Sequence, residues 1–192
     1  MIRIGIIGDI GSGKSHTAKQ FGYPVFNADL EVSKLYKSSR ECYLKIKKAL
    51  PKFISSFPIK KNELSKSIVE NQKNIKKIIK IIHPEIQKRM NAFVKKNKNK
   101  KFIVLDIPLL IENKISKKND IIVFVDAKKR DINKRLQKRV NFNPKIIKKF
   151  KKIQLPLEVK KKYSDFIIKN NFNNKSMKKN VKRIMNEILK NA

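Results

Sequence analysis

Cysteine, histidine and acid are all scarce in this chain of 192 residues, and each scarcity excludes something. A single cysteine, Cys42, rules out an intramolecular disulfide and any cysteine-based metal cluster. Two histidines, His16 and His83, are too few for a histidine-rich zinc site. No apolar run approaches the roughly 18–20 residues of a membrane span, so no membrane partner is expected. The sequence opens directly into an apolar segment, without the basic and cleavable pattern of a secretory signal. Together with the lone cysteine, this fits a reducing, cytoplasmic setting. Only 15 Asp and Glu stand against 49 Lys and Arg, a formal net charge of +34. The excess is mainly lysine, spread over the whole chain beside abundant isoleucine and asparagine. That pattern reads as compositional drift rather than a dedicated nucleic-acid surface, and no specific nucleic-acid partner is expected. The field still attracts polyanions such as ATP.

Glycine is also sparse, yet three of the five glycines fall within six residues. Gly8-Asp9-Ile10-Gly11-Ser12-Gly13-Lys14-Ser15 is a complete G-x-x-x-x-G-K-S phosphate-binding loop. Ile2–Ile7 precedes it as an apolar strand, and a helix-compatible stretch from Ser15 to Phe21 follows. The glycines let the backbone wrap a polyphosphate with its N–H groups turned inward. The helix start adds partial positive charge. Lys14 reaches the β- and γ-phosphates, and the Ser15 hydroxyl ligates Mg²⁺. Gly11, Ser12, Gly13, Lys14, Ser15 and His16 are therefore expected to bind ATP, with Mg²⁺ as cofactor.

Five apolar runs predict strands: Ile2–Ile7, Val25–Asn27, Phe102–Asp106, Ile121–Asp126 and Phe166–Lys169. They are rich in Ile, Val and Phe, as strands buried on both faces are. Helical patterns lie between them. The expected fold is α/β, a P-loop NTPase-type five-stranded parallel sheet with helices on both faces. An inserted helical substrate subdomain is expected at 30–98 and a basic helical lid at 128–160. The nucleotide-binding core is then 1–29, 99–127 and 161–192. His83-Pro84 is read as a break in the helical subdomain, and 175–190 as a helix packed on the sheet.

Ligands of such sheets gather at the carboxyl ends of the strands, where Asp9, Asp29, Asp106 and Glu112 fall. Asp29 is read either as a base facing the transferring phosphate or as a helix cap. Asp106 stands where a Walker-B acid holds Mg²⁺, or at an ordinary strand-end turn. Leu109 and Leu110 line an acceptor pocket or pack in the core. His83 contacts substrate or simply precedes a helix-starting proline. Arg135 and Arg139, four residues apart, share a helix face, as a phosphate clamp or as a solvated basic surface.

Taken together, these motifs resemble those of the dephospho-CoA kinase family, in order and over nearly the whole length. The phosphate loop resembles G-x-I-G-S-G-K-S. Tyr23–Asp29 resembles V-P-V-x-D-A-D, and Ile82–Ile86 resembles H-P-x-I. Val104–Glu112 resembles V-x-D-x-P-L-L-F-E, and Arg135–Arg139 resembles R-L-x-x-R. Gln154–Lys160 resembles Q-x-P-x-E-x-K, and Ser164–Asn170 resembles A-D-x-V-I-x-N. The resemblance implies that ATP phosphorylates the ribose 3′-hydroxyl of dephospho-CoA, giving CoA and ADP. It implies Asp29 as general base and Lys14 and Ser15 on the triphosphate and Mg²⁺. It puts His83, Asp106, Leu109, Leu110 and Glu112 near the acceptor and Arg139 in the lid clamp. Three departures stand out: Asn27 replaces the first Asp of D-A-D, Phe150 stands where many members have arginine, and His16 follows Ser15. The chain is expected to act as a monomer or weak homo-oligomer. The alternatives are a nucleoside monophosphate kinase-like enzyme or a nucleic-acid-stimulated NTPase.

Overall fold

The computed structural model describes residues 1–140 and 142–190; positions 141, 191 and 192, within the expected lid and core ranges, lie outside the described residues. The chain divides into two compact units. The first comprises Met1–Asn27, Asn97–Phe142 and Gln154–Ala192, and the second Ala28–Lys96 and Asn143–Ile153.

The first unit is built on a parallel sheet of β1 (Ile2–Gly8), β2 (Val25–Asn27), β3 (Phe102–Asp106), β4 (Ile121–Asp126) and β5 (Phe166–Lys169). Their order is β2-β3-β1-β4-β5, with every neighbouring pair parallel. All five expected strands form; in β1, β3 and β4 the runs of Ile, Val and Phe are buried nearly throughout, whereas the edge strand β5 leaves Ile167 exposed. The helices of this unit are α1 (Lys14–Gln20), α6 (Lys129–Gln137), α8 (Leu157–Lys162) and α9 (Asn174–Lys190). Met177, Val181, Ile184, Met185 and Ile188 of α9 pack onto Ile4, Ile6, Phe102, Val104, Val123 and Val125. Each such side chain contributes about 1.5–3 kcal/mol by leaving water. On β1, Gly5 makes room for its neighbours: a Cβ there would meet the Leu110 and Ile122 side chains, which would have to shift. The order puts β1 between β3 and β4, so the chain following β1 emerges where the connections diverge, the usual ligand position in such sheets.

The second unit holds α2 (Ala28–Ser38), α3 (Arg40–Ala49), α4 (Lys61–Glu70), α5 (Lys73–Lys96) and α7 (Pro144–Lys151). The segment expected as a lid is thus shared: α6 and α8 belong with the sheet and α7 with the helices. α7 starts at Pro144 behind Asn143, whose side chain accepts from Lys145 N and Ile146 N at 3.0 and 3.2 Å. Lys149 on α7 donates to Val69 O of α4 at 2.8 Å. The expected break at His83-Pro84 is not there, and α5 runs through it. Ile75, Ile78, Ile82, Ile86 and Met90 keep one buried stripe in register across the proline. Pro84 lies on the exposed side, where water can satisfy the carbonyl that loses its donor.

Glu63, in the first turn of α4, organises the loop before it. Its carboxylate accepts from Ser55 N, Ser55 Oγ, Ser56 N, Ser56 Oγ and Lys60 N at 2.7–3.3 Å. Burial alone would raise its pKa, but these hydrogen bonds, those of Ser55 first, hold it at about 2. A carboxylate depressed in the folded state stabilises above its unfolded pKa, and the gain is lost as pH falls through the folded value. Glu63→Gln is therefore expected to cost about 1–2 kcal/mol at pH 7, after discounting for partial exposure. Urea unfolding of both proteins should show that gap narrowing between pH 5 and pH 3. A gap independent of pH would contradict this account of Glu63.

Candidate active site

The turn from β1 into α1 is the Gly8–Ser15 loop, and its shape follows from its glycines. Gly13 sits at the N-cap of α1 with φ 96°, a left-handed value that side chains rarely adopt. A Cβ on Gly13 would run into Nδ2 of Asn170. Asn170 is buried, and its side chain closes the loop from the β5 side by donating to Ser12 O at 2.7 Å. Its own Oδ1 accepts from Phe172 N at 2.9 Å. On the other flank, Leu136 and Ile132 of α6 pack against Gly11. The loop is therefore braced on two sides, a preformed cradle rather than a pliant turn. Ser12 is fully buried, and its Oγ makes no hydrogen bond among the described residues.

Lys14 folds back across this loop, its Nζ donating to Asp9 O at 2.8 Å and Gly8 O at 3.2 Å. Ser15 and His16 are exposed on the first turn of α1. Asp106 closes β3, one strand away from the loop, in register with Ile6 of β1 and Asn27 of β2. Its side chain accepts from the Ser15 hydroxyl and the Asn27 amide. Burial is the largest influence on this carboxyl and pushes it above the ordinary carboxylate range. The Ser15 hydroxyl, the Lys14 charge and the Asn27 amide pull it back only part of the way. Asn27 thus keeps a neutral donor where the resembled pattern has a second carboxylate.

Other expected residues take more varied places. Leu110 is fully buried under Gly5, whereas Leu109 is half-buried in the turn after β3. Glu112, in that same turn, is engaged by Lys160 Nζ at 2.8 Å and by Leu155 N at 3.1 Å. Arg139 does not share a helix face with Arg135, because α6 ends at Gln137. It lies exposed two residues further on, its N–H donating to Leu136 O. Arg135 instead stacks on the Phe172 ring, 4.4 Å from its centroid. In the second unit, Asp29 occupies the first turn of α2, which starts at Ala28, and is not its N-cap. A carboxylate there also favours the positive end of the helix. His83 lies within α5 with its Nε2 enclosed and without a hydrogen bond among the described residues.

The dephospho-CoA kinase family model matches residues 2–176. The chain belongs to the dephospho-CoA kinase family. It is 33% identical to the dephospho-CoA kinase of a Wolbachia of Brugia malayi, covering 96% of this chain and 97% of that one. It is 34% identical to the dephospho-CoA kinase of Bartonella quintana, covering 98% of each. Among solved structures, a Thermus thermophilus protein superposes with a TM-score of 0.77 at 23% identity, covering 97% of both chains. The dephospho-CoA kinase of Campylobacter jejuni gives 0.63 at 21%, covering 97% of this chain and 96% of that one. At those identities the two structures speak for the fold.

Sequence reasoning placed Asn170 and Lys160 in resembled motifs but missed two sets of contacts that they make in this dephospho-CoA kinase. Asn170 and Phe172 brace and flank the loop from the far end of the chain. The available signal was an asparagine just past a strand end, at the carboxyl edge of the sheet. The partners of Glu112 lie in the Gln154–Lys160 motif, but nothing in that motif named Glu112 as its contact. Among the described residues, no cluster of three or more metal-ligating side chains exists.

Proposed function

We propose that this chain is an ATP-dependent kinase for dephospho-CoA, transferring the γ-phosphoryl group to the ribose 3′-hydroxyl to give CoA and ADP. The observation that carries this reading is the braced Gly8–Ser15 loop with Asp106 held beside Ser15, in a chain of this family. The loop amides from Gly11 to Ser15 receive the β-phosphate, with His16 following them. Lys14 leaves its carbonyls to meet the β- and γ-phosphates, where its charge matters most as the terminal oxygens gain charge in the transition state. Arg135 and Phe172 offer planar faces to the nucleobase.

Ser15 and Asp106 present a hydroxyl and a carboxylate, hard oxygen donors that suit Mg²⁺; phosphate oxygens and water complete such a shell. An Mg²⁺ ion held by Ser15 and Asp106 would neutralise charge on the phosphates. On the acceptor side, Asp29 takes the proton of the 3′-hydroxyl. His83, Asp106 and the Leu109–Leu110 stretch hold the acceptor, and Arg139 clamps phosphate from the lid. Asn27 leaves Asp106 as the single carboxylate of this cation site. We place the reaction in the cytoplasm, with the chain as a monomer or weak homo-oligomer; no described helix is long and apolar enough to cross a membrane.

The test is an acceptor panel in an ADP-release assay with the purified chain. Turnover is expected with dephospho-CoA and not with nucleoside monophosphates. Turnover with a nucleoside monophosphate alone, or hydrolysis raised severalfold by RNA, would overturn this reading.

A further inference from the structure

Lys160 is among the most enclosed side chains of the protein, with 1% of its surface exposed. It lies on α8, and nothing in the proposed chemistry uses it. Its ammonium meets Glu112, itself 9% exposed, at 2.8 Å, and donates to Gln154 Oε1 at 3.0 Å. The same Glu112 oxygen accepts from Leu155 N at 3.1 Å. Two donors from one remote chain segment, Lys160 Nζ and Leu155 N, thus converge on one carboxylate oxygen, and Gln154 accepts from the same ammonium.

Both segments occupy informative places. Glu112 sits in the turn that leaves β3 directly behind Asp106. That turn is closed on itself by Asn113 N to Leu109 O, Lys114 N to Ile111 O and Ile115 N to Leu110 O. Its far end is held by Arg3, which donates to Ile115 O at 3.1 Å and pairs with Asp120. Gln154 and Leu155 are the first residues of the sheet unit after the chain leaves the second unit at Ile153. Enclosing two charges is costly, and an apolar pair of similar size would serve stability as well or better. What an apolar pair cannot do is fix direction, which two donors on the Glu112 oxygen and a further hydrogen bond from the ammonium to Gln154 do.

We propose that Glu112 and Lys160, with Gln154, are positioning residues for phosphoryl transfer: their buried pair fixes the Asp106 turn against the Gln154–Lys160 segment. The inference rests on the kinase reading above. Neither residue touches the reacting atoms. Their contribution is the placement of Asp106 and Leu109, where a displacement of about 1 Å can cost 10²-fold in rate.

The experiment compares the full-length wild type with Glu112→Gln, Lys160→Met, the double variant Glu112→Leu/Lys160→Met, and the milder Gln154→Ala. Each is measured for melting midpoint, ADP affinity by calorimetry, and kcat and KM for dephospho-CoA well below its midpoint. The single changes at the pair should lower the midpoint by roughly 5–15 °C, since each strands a buried group. The double variant should recover most of the midpoint but keep a kcat roughly 10–100-fold down, with ADP affinity within about threefold of wild type. Gln154→Ala, which leaves the ion pair intact, should lower kcat severalfold with an unchanged midpoint. If the double variant regains both midpoint and kcat, or if Gln154→Ala leaves kcat and KM untouched, the pair is structural only and the proposal falls. The kinase reading fails separately, through a wild type that does not phosphorylate dephospho-CoA.

Discussion

Lys14→Ala is expected to abolish transfer, with a loss of at least about 10³-fold in kcat, the scale of a removed transition-state cation. In the structure the ammonium rests on the Gly8 and Asp9 carbonyls, held by the same loop that is to cradle the phosphates. The loop also has braces that do not involve Lys14: Asn170 grips Ser12 O, and Leu136 and Ile132 pack against Gly11. The variant should therefore fold with a midpoint near that of wild type and still bind ADP, though more weakly. The effect belongs to the γ-phosphate, whose oxygens carry the developing charge. Calorimetry with ADP beside a sensitive turnover assay separates binding from chemistry. A Lys14→Ala protein within tenfold of wild-type kcat would contradict the assignment.

Asp29→Asn is expected to keep ATP binding and lower turnover by roughly 10²–10⁴-fold, the range of a general base. The asparagine keeps the shape but cannot take the hydroxyl proton. Asp29 has a competing structural role, since a carboxylate in the first turn of α2 favours the helix by about 0.3–1 kcal/mol. The two roles predict different things. As a base, Asp29 controls kcat and hardly moves the melting midpoint. As a helix-end charge it would shift the midpoint slightly and leave kcat alone. Near-normal turnover in Asp29→Asn would return the residue to that second role.

The fold was readable where burial leaves no choice. β1, β3 and β4 are apolar because both faces are covered, and β1 is recognisable by the glycine loop that must follow it. Asp106 was legible by place, a lone carboxylate ending a buried strand in an acid-poor chain. Local rules misled where tertiary packing overrode them. Pro84 reads as a break, yet the stripe from Ile75 to Met90 carries α5 past it. Arg135 and Arg139 read as one face, yet the helix stops at Gln137. Asn170 and Lys160 stood in resembled motifs, but their contacts with Ser12 and Glu112 were not readable, for a simpler reason. Their partners lie on remote segments, and neither spacing nor composition announces a contact that only the folded sheet creates. Glu112 was legible as a special acid, but not as one already occupied by a lysine.

The most direct measurement is phosphorus NMR of the reaction of the purified chain with MgATP and dephospho-CoA. A new ribose 3′-phosphomonoester should grow in step with ADP, one for one, and should be absent with Lys14→Ala. ADP formed without that resonance, or phosphate appearing at another position of the acceptor, would contradict the account.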